Sequence, residues 1–391
     1  MKQKIHQILR DAISSAVDAG ELSPANKFRA QFYVEPSKDA LHGDFASTIA
    51  LVIAKPEKKP PRQIAETIKR NINDTESVLE KIEIAGPGFL NFFLRPEAWL
   101  FVLHDVERQG KSFGHSHAGG GKKVQVEFVS ANPTGPLHIG HGRGAAVGDS
   151  LARLLAFAGF DVYREFYIND FGSQVENLGA SIYMRYRQLA GGEGAEVTPA
   201  PVSEADDGRP EAGNLYLGEY VTEIARVFME DPAFVALPED GKRVYCREEG
   251  IRAMLRQIED TLARFGVSFD GWYSERSLYG PGTNLVHAAI DELRGKGLVY
   301  DEGGAVWLAT TRFGDDKDRV LVRKNGQTTY FASDIAYHRD KYGRGFKEII
   351  DIWGADHHGY IPRMKAAVAA LGHDPEGFRV LLVQLVNLMR E

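Results

Sequence analysis

The sequence predicts an α/β protein: a doubly wound parallel nucleotide-binding sheet with a helical insertion, preceded by a small α+β N-terminal domain. Three observations carry this. Val124 to Val129 alternates as a strand does, Asn132 to Pro136 can continue neither strand nor helix, and Ile139 to Phe157 has apolar residues at helical spacing. A second strand at Val162 to Ile168 follows, so strand, helix and strand cross over into parallel neighbours that bind ligands at their carboxyl ends. Finally, Ile349 to Trp353 reads as a buried strand running into the polar turn Gly354 to Tyr360, which delivers a second strand-turn-helix to the same rim.

The composition sets bounds. A chain of 391 residues, 43% hydrophobic and 26% charged, suits about two or three soluble domains. No apolar run approaches membrane length and the N-terminus lacks a signal peptide's apolar core, so a cytoplasmic protein without membrane contact is expected. The single cysteine, Cys246, excludes an internal disulfide and a multi-cysteine metal site. A net charge of -7 argues against indiscriminate nucleic-acid binding but allows a local basic face.

In chain order, Lys2 to Asp18 carries a helical stripe of Ile5, Ile8, Leu9, Ala12, Ile13, Ala16 and Val17. Phe32 to Glu35 reads as a short strand, Phe45 to Ala54 as a helix, and Arg62 to Asn73 as another. Val78 to Ile84 followed by Gly86 to Leu94 makes two strands joined by a tight turn, completing an α+β domain over 1–108. Residues 109–121, rich in glycine, read as a linker to a second domain over 122–391, with an insertion around 175–325. Within it, Val175 to Ala190 is helical, Gly191 to Gly213 has the composition of a mobile loop, and Leu215 to Glu230 and Glu248 to Phe265 are amphipathic helices. A helix around Asn284 to Lys296, a hairpin-like region from Val299 to Val322, a strand entering a helix over Thr328 to Tyr337, and an apolar run from Val380 to Leu388 complete the chain.

The loop after the first strand of the second domain is where chemistry concentrates. His138 and His141 flank a helix start, where free N–H groups and the positive dipole end favour a phosphate. Glycines there let a ligand approach the backbone. A histidine pair at this spacing also fits a polar surface or a helix cap.

His138-Ile139-Gly140-His141 spells the HIGH signature of class I aminoacyl-tRNA synthetases, and Ala131 to Arg143 resembles the arginyl-tRNA synthetase version of it. Asn169-Asp170-Phe171-Gly172-Ser173-Gln174 resembles that family's next signature, while Leu41 to Ala46 and Ala85 to Phe92 resemble its N-terminal additional domain, which contacts the tRNA elbow. The resemblance implies an arginine–tRNA ligase: activation of L-arginine by ATP with Mg2+, then transfer to tRNA(Arg), by a monomer in the cytoplasm. It places Pro136, His138, Gly140, His141, Gly142, Gly354, Asp356 and His357 at the ATP, with His138, Gly140 and His141 catalytic. It places Glu127 and Asn132 at the amino and carboxylate end of the substrate. Tyr330 and Asp334 match the arginine-reading pair, with Glu275 a second acidic contact, because a guanidinium needs a carboxylate able to take two parallel hydrogen bonds. The cluster Lys55, Lys58, Lys59 and Arg62 is a candidate tRNA contact, and the helical insertion would guide the acceptor end.

Other readings stay open. Asp356-His357-His358 also suits a metal site completed by His138 or His141, or a DHH-type phosphodiesterase, although that fold needs aspartates near the start of its domain and Val124 to Val129 has none. No dedicated metal ligands are assigned. A different HIGH-type adenylyltransferase, or a non-catalytic tRNA-binding relative, are the alternative functions. The sequence departs from the family pattern in one respect: it has no KMSKS-like lysine loop and stops at Glu391, before that loop and the anticodon-binding domain would follow. A truncated chain is therefore expected, one that binds ATP or arginine weakly and forms adenylate poorly or not at all.

Overall fold

The computed structural model describes residues 1–25, 32–191, 215–280, 282, 284–384 and 386. The chain folds as two units, Met1–Gly114 and His115–Glu391, which divide inside the glycine-rich stretch.

In the first unit, helix α1 (Lys2–Asp18) buries Ile5, Leu9, Ala12, Ile13 and Ala16, the face its periodicity marks out. Strands β1 (Val34–Pro36), β2 (Phe45–Ser47), β3 (Leu79–Ala85) and β4 (Phe89–Leu94) form an antiparallel sheet in the order β1-β2-β4-β3. The helix expected from Phe45 to Ala54 is thus corrected: Phe45–Ser47 pairs with both β1 and β4, and helix α2 (Ile49–Glu57) begins only afterwards. Pairing on two sides outweighs a weak local helical preference. Gly43 makes the turn into β2 possible, since at φ +83° a Cβ there would lie 2.6 Å from the Phe92 carbonyl oxygen. Helices α3 (Pro61–Arg70) and α4 (Ala98–Gln109) complete this unit.

The second unit is built on a parallel five-stranded sheet of β5 (Lys123–Glu127), β6 (Asp161–Ile168), β7 (Gly271–Ser274), β11 (Glu348–Gly354) and β12 (Phe378–Val383), in the order β12-β11-β5-β6-β7. Every neighbouring pair is parallel. β5 is buried from Val124 to Glu127, as a central strand covered on both faces must be. From β5 the chain winds outward through helix α5 (Ile139–Phe157) to β6 and β7, then returns to the other side of β5 with β11 and β12. The order therefore reverses between β5 and β11, and the carboxyl ends of those strands open the crevice where such sheets bind ligands.

Two excursions leave this sheet. Between β6 and β7 lie helices α6 (Ser173–Leu189), α7 (Glu219–Met229), α8 (Pro232–Val235) and α9 (Glu239–Arg264), with a core of their own that includes Leu178, Ile182, Phe228, Phe234 and Cys246. α9 starts nine residues before the expected Glu248, its first turns hidden by a charged run and Gly241. Between β7 and β11 come α10 (Leu285–Gly295), the antiparallel meander β8 (Val299–Glu302), β9 (Ala305–Leu308) and β10 (Arg319–Val322), and helix α11 (Tyr330–Gly343). Because β7 belongs to the parallel sheet, the span 175–325 is not one insertion but two. The strand expected before the helix at Thr328 is also corrected: Thr329 accepts from the Ala332 N–H and caps α11, so Tyr330 is already helical. Helix α12 (Ile361–Ala370) joins β11 to β12. Apart from Gly191, the loop expected to Gly213 lies outside the described residues, as does part of the apolar run expected to Leu388.

Candidate active site

The end of β5 is strained. Val129 has φ +68° and Ser130 φ +40°, a region that costs a β-branched residue in particular about 1 kcal/mol or more. Ser130 holds the distortion: its hydroxyl donates to Glu127 Oε1 at 2.9 Å and accepts from the Tyr167 N–H at 3.1 Å. The chain then turns toward Asn132, whose amide donates to Gln174 Oε1 at 2.6 Å and accepts from Asn169 Nδ2 at 2.5 Å. These bonds tie the loops following β5 and β6 together.

His138 caps α5. Its Nδ1 accepts from the Gly140 N–H at 3.1 Å, and His141 Nδ1 accepts from the His138 N–H at 3.2 Å, a reciprocal capping box made by two imidazoles. The rings stack with centroids 3.7 Å apart. An Nδ1 that accepts carries no proton, so each ring presents Nε2–H as a donor. Burial, then the neighbouring His138, pushes the His141 imidazole down to about 4 and keeps it neutral. A Cβ at Gly140 would lie 3.0 Å from the His138 ring, whereas one at Gly142 would meet nothing within 4 Å, so Gly142 keeps open space beside the pair. Further along α5, Gly148 lets the helix lie directly on Phe128, at the end of β5. Pro136 is exposed on the same loop.

Across the crevice, β11 ends at Gly354, and Asp356 and His357 follow on a short 3-10 turn with the His357 Nε2 3.4 Å from Asp356 Oδ2. A Cβ at Gly354 would stand 2.3 Å from Asp356 Oδ1, so any side chain there would turn the Asp356 carboxylate away. The last residue of that turn, Tyr360, donates its hydroxyl to Asp334 Oδ2 at 2.6 Å. Asp334 lies one turn into α11, on the same face as Tyr330, whose hydroxyl reaches within 4.0 Å of the Cβ position at Gly172. Phe171 stacks on Tyr279 at 4.3 Å, and Tyr279 bonds Ser333 at 2.6 Å. Glu275, at the end of β7, is 3% exposed.

This part of the crevice is acidic. The Tyr167 phenol is held well above its ordinary range, first by burial and then by the charges of Glu275, Asp334 and Glu127. Tyr279 is raised by burial, with Glu275 and Asp334 adding to it. Carboxylates among aromatic rings suit a planar cation.

The structure thus gathers Glu275 and Asp334 around Tyr167 and Tyr279, with Tyr330 one helical turn before Asp334, keeps Asn132 on the loops following β5 and β6, and sets His138 and His141 on one side of the β5–β11 crevice with Gly354, Asp356 and His357 on the other. Glu127 lies beneath this rim. It is 8% exposed, and its second oxygen accepts from Tyr337 at 2.9 Å and from the Lys341 ammonium at 2.6 Å. Sequence reasoning missed this lower layer, in which Lys341 also bonds Asp351 at 2.9 Å and Arg344 forks onto Glu165 at 2.6 and 2.9 Å. A signal was present: Glu127, Glu165 and Asp351 are charges inside strands buried on both faces, where a partner is obligatory.

Comparison with known proteins agrees in both units. Residues 3–94 match the family described as arginyl tRNA synthetase N terminal domain, and residues 104–386 match tRNA synthetases class I (R), catalytic domain. An arginine–tRNA ligase from Syntrophotalea carbinolica is 47% identical over 392 aligned residues, covering 100% of this chain and 67% of its own length; one from Desulfosudis oleivorans is 48% identical with the same coverage. The chain thus spans about two thirds of the length of these curated relatives. Among solved structures, a Campylobacter jejuni chain superposes with a TM-score of 0.63 at 35% identity, covering 73% of this chain and 59% of that one. Thermus thermophilus arginyl-tRNA synthetase gives 0.62 at 22% identity over 98% of this chain and 66% of its own, a likeness of fold.

Proposed function

Since this chain belongs to the class I arginyl-tRNA synthetase family, we propose that its crevice binds ATP and L-arginine side by side and joins them as arginyl-adenylate for transfer to tRNA(Arg), in the cytoplasm where protein synthesis consumes the product. The observation that carries this is the Asp334 carboxylate at the start of α11, steadied by the Tyr360 hydroxyl inside an acidic, aromatic crevice. It offers a guanidinium a charge of opposite sign with one oxygen already fixed in direction.

Adenylate formation needs no protein nucleophile. The arginine carboxylate attacks the α-phosphorus of ATP, pyrophosphate leaves, and the protein's task is to align the two and to stabilise the developing negative charge. His138 and His141 present Nε2–H donors beside the N-terminus of α5, so they stabilise phosphate oxygens as neutral donors. Gly140, Gly142 and Pro136 leave the nucleotide room, while Gly354, Asp356 and His357 flank the adenosine. Asp334, Tyr330 and Glu275 read the guanidinium. Asn132 meets the amino and carboxylate end, with Glu127 contributing its charge from beneath.

Among the described residues no group of three or more His, Cys, Asp or Glu side chains could hold a metal ion. Mg2+ belongs with the triphosphate whose charge it neutralises. The N-terminal unit would contact the tRNA, its exposed Lys55, Lys58, Lys59 and Arg62 meeting phosphates, and the helical excursion α6–α9 would guide the acceptor end.

The test is calorimetric titration with L-arginine, with L-lysine and L-citrulline as controls, on this chain and on Asp334→Asn. Arginine should bind and the controls should not compete at equal concentration. Losing a charge-assisted pair of this kind costs about 1.5–3 kcal/mol, so Asp334→Asn should bind arginine on the order of 10- to 100-fold more weakly. Unchanged arginine affinity in Asp334→Asn would overturn the assignment.

A further inference from the structure

Inward from Asp334, the same face of α11 continues with Tyr337, His338, Lys341 and Arg344, at three- and four-residue steps. Such a pattern in a sequence reads as a solvated stripe. Here the stripe faces the sheet: Tyr337 is 3% exposed, His338 4% and Lys341 0%. Between them these groups engage three parallel strands. Lys341 joins Glu127 of β5 to Asp351 of β11, Tyr337 lies 2.9 Å from Glu127 and 2.6 Å from Glu165 of β6, and Arg344 forks onto Glu165. Burial pulls the Lys341 ammonium down from its ordinary range, but Asp351 and Glu127 more than reverse that and keep it charged. His338 links the layer back to the rim: Nδ1–H donates to the Asp334 carbonyl at 2.8 Å, and Nε2 stands 3.2 Å from Asp351 Oδ2.

We propose that Lys341 and Tyr337 are positioning residues for the amino-acid pocket, fixing the rotation and height of α11 against β5, β6 and β11 and thereby holding Asp334 where a guanidinium can fork onto it. This rests on the reading of Asp334 given above. The physical reason is directional. Asp334 and Lys341 are seven residues apart, roughly 10 Å along the axis and about 20° apart around it, so a rotation released at Lys341 is felt almost unchanged at Asp334. Apolar packing tolerates small rotations, whereas buried charges with named partners do not. A productive site must hold its groups to about 0.5 Å and 10–20°, a tolerance the three strand anchors supply. Those strands also carry the loops of the site, so one helix keeps the guanidinium reader in register with the loops that meet the nucleotide.

The experiment measures L-arginine and ATP affinity by calorimetry, and the thermal midpoint by circular dichroism, for the parent chain, Asp334→Asn, Tyr337→Phe and Lys341→Met. Tyr337→Phe removes one hydroxyl and should fold. It should weaken arginine binding at least about fivefold while ATP binding stays within about twofold and the midpoint within a few degrees. Lys341→Met should weaken arginine further, and if it fails to fold, Tyr337→Phe decides alone. Unchanged arginine affinity in Tyr337→Phe, or a parallel loss of arginine, ATP and thermal stability, overturns the positioning role. If Asp334→Asn loses arginine and Tyr337→Phe does not, only this inference falls; if Asp334→Asn binds like the parent, the site reading falls and this inference with it.

Discussion

Two glycines four residues apart on α5, Gly144 and Gly148, make opposite predictions for the same substitution. A Cβ on Gly148 would lie 2.2 Å from Cγ of Phe128 and 2.6 Å from its Cβ. Those atoms are the root of a fully buried ring, 0% exposed, so they cannot swing aside as the tip of a long side chain could. Gly148→Ala gains about 1 kcal/mol of helix propensity but must push α5 off the end of β5, and overpacking of this kind costs about 1–3 kcal/mol or more. The clash wins. Gly144, also buried, has nothing within 4 Å of its Cβ position, and Gly144→Ala should keep most of the propensity gain. Thermal unfolding followed by circular dichroism separates them, since about 1 kcal/mol moves the midpoint of a domain of this size by roughly 2–4 °C. Gly148→Ala should melt a few degrees lower and Gly144→Ala slightly higher. Because Phe128 immediately precedes the strained Val129-Ser130 turn, Gly148→Ala should also weaken ATP binding. A Gly148→Ala chain as stable as the parent would refute the contact between α5 and β5 on which the geometry of the His138 loop depends.

Other outcomes follow from the site. His141 should remain neutral at pH 6 and titrate near 4 by NMR of labelled histidine, because the folded state resists its protonation; stability tied to it is complete above about pH 6.5 and lost as pH falls toward 4, and a midpoint above 6 would contradict its environment. Ser130→Ala removes the hydroxyl that bonds both Glu127 and the Tyr167 N–H, and should cost on the order of 1–3 kcal/mol in urea unfolding, with a cost near zero refuting its role in holding the turn. Burial pushes the Cys246 thiol up to about 12, so on the order of one molecule in ten thousand carries a thiolate at pH 8; labelling by a thiol reagent should wait on unfolding, and rapid labelling of the native chain would show that its helical core is open.

What can be read in the sequence is what is local. The β5–loop–α5 unit, the histidine pair and the glycines that admit close approach are neighbours in the chain, and their geometry follows from strand alternation, turn chemistry and helix capping. Asp334 and Tyr330 are paired by the family resemblance; that one helical turn separates them is seen only in the structure, where Tyr330 is already helical. What the tertiary structure decided is partnership across distance. Phe45–Ser47 is a strand only because β1 and β4 stand on either side of it, and β7, four residues long, becomes part of the sheet only by lying against β6. Tyr360 reaches Asp334 from 26 residues away, and Lys341 reaches Glu127 from 214. A lysine on a helix stripe has the same local pattern whether water or two carboxylates surround it. The sheet brings those carboxylates to it, and burial makes the pairing compulsory.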